Sequence, residues 1–451
     1  MSRLILDGCA LATMDPDGTE HATGHLIVED GRIASLGAGS APETAGAETI
    51  DCRGLLATPG LVNTHHHLYQ WLTRGLAQQS TLFEWLTELY PRWALIDDTM
   101  QDAAARAGIA ALLASGCTTT TDHHYVFPRG AGDLLGIEIA AAAELGIRFH
   151  PCRGSMDLGV RDGGLPPDEV VEDIDRVLAE TEDAIDRHHD GSFDSMLRIA
   201  VAPCSPFSTT GELMKEAATL ARRKGVRLHT HLAETVDEEE FCLAQFGVRP
   251  ADYLDSLDWL GDDVWLAHCV HLSEADVARF GATATGVAHC PTSNARLGAG
   301  IAPVVDLVSA GAPVGLGVDG AASNEGGHLS AEPRAALQLA RLRGGPAAMT
   351  ARETLRLATA GGARCLGRSE ELGSLEAGKL ADIALWKVDG LDDAGIEDKL
   401  ASLVLGTPRH AHHVVVGGRM VIEAGRLMTA DPDSLASSLS KQATRLAEAL
   451  P

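Results

Sequence analysis

Four short segments rich in metal-ligating side chains each close an apolar, β-branched run: Thr64-His65-His66-His67, His229-Thr230-His231-Leu232-Ala233-Glu234, Ala267-His268-Cys269 and Gly317-Val318-Asp319-Gly320. Ligand chemistry delivered at the ends of successive strands is what a metal site at the mouth of a (β/α)8 barrel requires. The spacing along the chain supports the same architecture. Eight β-branched or apolar runs, at 60–63, 117–121, 147–150, 197–202, 226–232, 264–268, 285–289 and 314–318, alternate with long helical patterns. The stretches 212–224 and 274–280 have the apolar spacing of amphipathic helices. Strict βα alternation predicts a parallel sheet, and eight repeats favour a closed α/β TIM barrel over an open doubly wound sheet.

The two ends follow a different pattern. Leu26-Ile27-Val28-Glu29-Asp30-Gly31-Arg32-Ile33 reads as strand, tight turn, strand, and Val414-Val415-Val416-Gly417-Gly418-Arg419-Met420-Val421-Ile422 repeats that logic. Residues 378–386 supply another strand. Both termini are therefore expected to combine into a small composite β-sandwich, residues 1–58 with 371–451, beside a barrel spanning 59–370. The Leu and Ala spacing over 433–450 predicts a closing helix. Two long segments, 68–99 and 154–167, follow the first and third barrel strands, where loops face the active site and select substrate. The second is equally suited to a contact between copies in a homo-oligomer.

Composition narrows the partners. A formal net charge of -27 argues against a nucleic-acid partner and leaves a small neutral or cationic molecule as the substrate. Nine scattered cysteines with no Cys-x-x-Cys pair, and no secretory leader, are expected of a cytoplasmic enzyme with reduced thiols. No apolar stretch approaches membrane-spanning length, so no membrane partner is expected.

His65 and His67 lie two apart at a strand end, where alternate side chains point the same way, with His66 turned aside. His231 and Asp319 close two further strands. Three imidazoles and one carboxylate suit a divalent metal, Zn²⁺ first and Fe²⁺ second.

Taken together, the ordered set resembles the amidohydrolase superfamily, in its aminohydrolase branch with a mononuclear site. The resemblance runs through Pro59-Gly60-Leu61-Val62-Asn63-Thr64-His65-His66-His67, the His231-Leu232-Ala233-Glu234 unit, His268, His289-Cys290-Pro291-Thr292-Ser293-Asn294 and Asp319. Binuclear barrels of this kind bridge two metals through a strand-four lysine. Here that strand ends Ala202-Pro203-Cys204-Ser205-Pro206-Phe207, without one, so a single metal is expected.

The reaction expected of this set is hydrolytic deamination. A divalent metal lowers the pKa of bound water towards neutrality. Glu234 is placed to move a proton onto a ring nitrogen of the substrate; its alternative is a solvated acid at a helix start, since Glu238, Glu239 and Glu240 follow. His268 is expected to polarise the water or the developing alkoxide, or else to be a core histidine. Asp319 is expected both to ligate metal and to relay a proton from water to departing ammonia. The His-x-Glu and Pro-Cys-x-x-Cys signature of polynucleotide deaminases is absent, which favours a free base.

Within the branch, the stretches 67–74, 153–156, 163–168, 202–208 and 317–324 look most like the 8-oxoguanine deaminases, a group similar to s-triazine hydrolases. That resemblance implies conversion of 8-oxoguanine to urate and ammonia. The alternatives are an s-triazine amino- or chlorohydrolase, or a guanine or isocytosine deaminase; a non-catalytic scaffold is disfavoured because the full ligand set is retained. Gln70 is expected to read a purine edge through its amide or to organise its loop. Trp85 is expected to line the pocket or to pack in the core. Cys204 is expected as a pocket wall, with no activated-thiol motif around it. Ser323 and Asn324 are read first as turn formers and then as substrate contacts. Arg74 and Arg153 either brace the mouth or meet a carbonyl oxygen.

Overall fold

The computed structural model describes residues 3–42 and 46–450. Eight parallel strands close a barrel in the order expected from the alternation: β1 (Leu61–Asn63), β2 (Cys117–His124), β3 (Arg148–Ser155), β4 (Ala200–Pro203), β5 (Leu228–Leu232), β6 (Val264–His268), β7 (Gly286–His289) and β8 (Val314–Leu316). The architecture is a (β/α)8 barrel with a smaller sheet unit built from both termini. The helices between strands start on side-chain caps. Thr210 accepts from Leu213 N ahead of Gly211–Lys224, and Ser273 forms a capping box with Asp276 ahead of Glu274–Thr283.

Three strands differ from the sequence reading in ways that matter for the site. β2 and β3 run past their expected ends, to His124 and Ser155. β8 instead stops at Leu316, and Asp319–Gly320 pairs with His66–His67 in a separate two-stranded sheet over the barrel rim. Glycine permits this crossing of the first and last strands. A Cβ on Gly317 would lie 2.8 Å from His65 Cβ, and one on Gly320 would lie 1.7 Å from Gln70 Oε1.

The terminal unit is one mixed nine-stranded sheet gathered around Leu6, Leu26, Ile33, Leu385 and Val415. Its turns fall where the sequence placed them. Asp30 and Gly31 take φ of 48° and 83° between paired Glu29 and Arg32, and Gly417 and Gly418 take 53° and 81° between Val416 and Arg419. Leu55–Pro59 from the start of the chain pairs antiparallel with Ile383–Lys387 from its end. The closing helix, Pro432–Ala449, is capped by Asp431. It packs on the barrel helix Asp98–Ala114 and on the turn Leu68–Thr73, with Leu446 in one apolar cluster with Tyr69 and Trp71.

The segment after β1 holds that turn and the helix Leu82–Trp93, which starts on a Thr81–Glu84 capping box and lies over the barrel mouth. All nine cysteines are buried and unpaired. Among the described residues, no helix is long and apolar enough to cross a membrane.

Candidate metal centre and active site

The hydrogen-bond network sets the tautomer of each rim imidazole. His67 Nδ1–H donates to the His123 carbonyl (2.8 Å), and His231 Nδ1–H to the Cys204 carbonyl (2.6 Å). His65 is held through a relay. His229 Nδ1–H donates to the Trp265 carbonyl (2.8 Å), so its Nε2 is an acceptor, and His65 Nδ1–H donates to it at 2.8 Å. In all three rings Nε2 therefore carries a lone pair. Burial, opposed for each ring by Asp319 and reinforced by neighbouring imidazoles, holds His65 and His231 well below the ordinary imidazole range, which keeps them neutral.

These lone pairs face one another. His67 Nε2 lies 3.1 Å from His231 Nε2, and Asp319 Oδ1 lies 3.4 Å and 3.3 Å from Nε2 of His65 and His67. His65 Nε2 is buried without a hydrogen-bond partner. Three acceptor nitrogens and a carboxylate oxygen at such distances repel unless a cation lies among them, so the residues present fit a divalent metal. The second oxygen of Asp319 is held from behind by the hydroxyls of Ser293 (2.6 Å) and Ser323 (3.1 Å).

Around this cluster the backbone is turned sharply. Ala233, His268 and Asp319 have φ of 50°, 70° and 62°, the left-handed region that non-glycine residues rarely occupy. Each sits at or just past the end of a barrel strand, and the turn at Ala233 precedes Glu234, which lines the cavity. Glu234 follows Ala233 and is buried, its Oε2 3.5 Å from His268 Nε2. Burial, together with the charges of Asp319 and Glu238, pushes its carboxyl well above the usual range. His268 Nδ1 is hydrogen-bonded to Asn294 Oδ1 at 3.0 Å, which orients the ring.

His67, His231, Glu234, His268 and Asp319 share one cavity with Gln70, Trp85, Cys204 and Ser323, and Leu82, Leu86, Tyr90, Tyr125, Phe207 and Leu297 complete its wall. Gln70 Oε1 is buried there with no partner. Trp85 serves both expected roles: it lines the cavity, stacks edge-on against Trp93, and donates from Nε1 to the Ala322 carbonyl (3.3 Å). Burial pushes the Cys204 thiol up to about 12, so it stays protonated as a wall group. Asn324 lies outside the wall and donates to the Val318 carbonyl and to Glu332, in keeping with a turn former. The two arginines face elsewhere. Arg153 pairs with Glu172 and Glu180 over the Phe127 ring, and Arg74 lies over Trp71. Both brace the structure beside the mouth.

Several residues of the site escaped the sequence reading. Asp122 accepts from Leu68 N (2.5 Å) and so pins the backbone just after His67, while His123 stacks on His231. Their signal was present in Thr121-Asp122-His123-His124, which continues the second run. Glu238 is not a solvated acid. It is buried, and its two oxygens accept from the backbone N–H groups of Ala233 (2.8 Å) and Glu234 (2.9 Å). His229, Ser293 and Asn294 act only through partners on other strands.

Imidazoles and a carboxylate converging at the carboxyl-terminal rim of a (β/α)8 barrel, beside a buried acid, define a metal-dependent hydrolase. The chain belongs to the amidohydrolase family, whose model matches residues 56–421. It is a hydrolase of carbon–nitrogen bonds in cyclic amidines. It is 48% identical to an 8-oxoguanine deaminase of Pseudomonas aeruginosa over 90% of this chain and 91% of that one. It is 37% identical to a hydroxydechloroatrazine ethylaminohydrolase of Pseudomonas sp. strain ADP, over 94% and 92% of the two chains. The crystal structure of an atrazine chlorohydrolase from Arthrobacter aurescens TC1 complexed with zinc superposes with a TM-score of 0.93 at 34% identity, covering 98% of this chain and 100% of that one.

Proposed function

We propose that this chain removes the exocyclic amino group of free 8-oxoguanine by hydrolysis, giving urate and ammonia. One observation carries the reading: Glu234 is buried 3.5 Å from His268, in one cavity with His67, His231 and Asp319, whose ligand atoms close on each other and on His65, in a chain 48% identical to a deaminase of that base. His65, His67, His231 and Asp319 would hold one divalent ion, Zn²⁺ first and Fe²⁺ second. Bound there, the ion supplies Lewis acidity that makes water a nucleophile at neutral pH.

The residues then divide the proton traffic. Asp319, oriented by Ser293 and Ser323, takes one proton from the water as its oxygen adds to the amidine carbon. Glu234 gives its proton to the adjacent ring nitrogen, so the added charge is neutralised as it forms. His268, its ring oriented by the Nδ1–H bond to Asn294 Oδ1, is assigned to the new oxygen, which its Nε2 holds when that nitrogen also carries a proton. Asp319 passes its proton to the amino group, the carbon–nitrogen bond breaks, and ammonia leaves. The remaining hydroxyl proton returns to Glu234 as the carbonyl forms, which restores the starting state. Gln70, with a free buried acceptor, reads a donor edge of the purine, and Trp85 and Phe207 contribute apolar and aromatic wall to the cavity.

A second reading, hydrolysis of an s-triazine substituent, draws on the apolar wall of Leu82, Leu86, Phe207 and Leu297 and on the triazine-processing relatives. Guanine and isocytosine are the remaining candidate rings. Metal-loaded enzyme offered 8-oxoguanine, guanine, isocytosine and hydroxylated s-triazines separates these by ammonia release. Efficient turnover of 8-oxoguanine with urate formed in equal amount is expected, and turnover of triazines alone overturns the proposal. Metal analysis is expected to give about one ion per chain for a single four-ligand site.

A further inference from the structure

The amino-terminal end of the barrel, opposite the metal cluster, carries buried cations that the reaction does not use. Arg198 precedes β4, Arg227 precedes β5 and His150 lies near the start of β3. Arg368 comes from the segment 363–372, whose Ala363, Cys365 and Leu366 pack against Cys152, Ala200 and Trp265 inside the barrel. One carboxylate serves two of the three guanidiniums here. Glu371 accepts from Arg198 Nη2 (2.6 Å) and Arg368 Nε (2.5 Å). Arg227 forms no salt bridge among the described residues and lies 6.0 Å from the Trp265 ring, which His150 also flanks at 5.8 Å. Of the other acids around the cluster, Asp382 is taken by Arg148 in a bidentate pair with both contacts at 3.0 Å, and Asp263, whose charge bears on Arg227 with that of Asp262, is paired with Arg222 at 2.8 Å.

Charge and hydrogen bonding are both left open at this place. A guanidinium does not give up its proton inside a protein, so the excess positive charge persists. Arg198 Nε, Arg227 Nε, Arg368 Nη1 and both ring nitrogens of His150 are buried without a partner. Arg368 and His150 are each 1% exposed, so water at the surface does not reach them. The charges of Arg368, Arg198 and Arg227 all bear on His150 and, with its burial, keep the ring neutral, so one of its nitrogens still offers an N–H. Each buried donor left unmet is costly, and a concentration of them around uncompensated charge calls for an acceptor that is also an anion.

We propose that Arg198, Arg227, Arg368 and His150 bind a small inorganic anion of the halide class, which closes the lower end of the barrel. The seclusion of His150 and Arg368 favours a compact monovalent ion over a tetrahedral oxyanion. The site is separate from the metal cluster and independent of which ring the enzyme deaminates.

The test uses the full-length, zinc-loaded enzyme at fixed pH and ionic strength, with sodium gluconate replaced stepwise by sodium chloride or bromide. A saturable rise in Tm with either halide is expected. Crystals grown in bromide are expected to show an anomalous peak within hydrogen-bonding distance of Arg368 and Arg227. The Arg227→Gln chain, whose metal cluster is untouched, is expected to lose the Tm response, which distinguishes this site from halide at the zinc. A Tm indifferent to the exchange, an undiminished response in Arg227→Gln, a response to sulfate or phosphate alone, or no bromide peak each overturns the proposal. If Arg227→Gln does not fold, the bromide map of the unaltered chain decides.

Discussion

Replacing Glu234 by Gln keeps the side chain's volume and the bond its backbone N–H donates to Glu238 but removes the carboxyl proposed to protonate the ring nitrogen. The expected result is a fall in kcat of about 10²–10⁴, typical of a lost general acid, with metal content unchanged by elemental analysis. A Glu234→Gln enzyme that lost its metal as well would instead assign this residue to the ligand set. His229 makes a different prediction, because its ring nitrogens bond His65 and the Trp265 carbonyl, and it does not line the cavity. His229→Leu leaves His65 Nδ1 without an acceptor and frees its ring to rotate. Metal affinity is expected to fall about 10–100-fold in a chelator competition, with activity recovered in excess zinc. The four proposed ligands were legible because a period of two on a strand puts His65 and His67 on one side, and His231 and Asp319 close further apolar runs. His229 obeys the same period with His231, yet nothing in its own strand shows that its partner lies on β1. Glu238 was not singled out, for a related reason. An acid in the first turn of a helix is usually solvated, and only the fold of 232–236 brings the backbone N–H groups of Ala233 and Glu234 to it.

At the level of elements, the crossing of Asp319–Gly320 over His66–His67 fastens the last barrel strand to the first. Gly320→Ala would drive a methyl into the Gln70 amide, the group proposed to read the substrate. A raised KM with metal binding retained is expected from steady-state kinetics and metal analysis. This crossing was hidden in the sequence, where 314–318 reads as one continuous run. The interruption comes from the close approach of β1 and β8, which is a property of barrel closure and not of either segment. The closing helix shows the converse. Its existence was plain from the spacing of Leu435, Leu439 and Leu446, but its partner was not, because an apolar face specifies burial without saying against what. Leu446 is 1% exposed and touches the cluster that holds the Leu68–Thr73 turn. Leu446→Ala is expected to cost about 2–4 kcal/mol in urea unfolding, as cavities of this kind do.

For the whole molecule, acid is the expected weak point. Burial first, and then His410 stacked on it, holds His328 down to about 4. An unfolded chain protonates the same ring near 6.5, so between pH 6.5 and pH 4 the unfolded state takes up the extra proton and stability falls as pH drops. The group's contribution is intact above 6.5 and gone below about 4, on the order of 3 kcal/mol for a shift of that size. His328→Gln is expected to flatten the loss of Tm across that window, as read by thermal melts at stepped pH. His66 and His124, both buried and also held near 4, keep the remaining slope in the same direction.

The joining of the two chain ends in one sheet bears on how the enzyme is made. Trp386 Nε1 donates to the Thr58 hydroxyl, a partner 328 residues earlier in the chain. On the ribosome, the edge of Leu55–Pro59 emerges first and waits unmatched while the entire barrel is synthesised, on the order of tens of seconds at translation speed. An open β edge is a template for pairing with foreign strands. Newly begun chains on neighbouring ribosomes are therefore the setting in which this protein is most exposed to mispairing, and premature termination before residue 383 would leave that edge permanently unfilled.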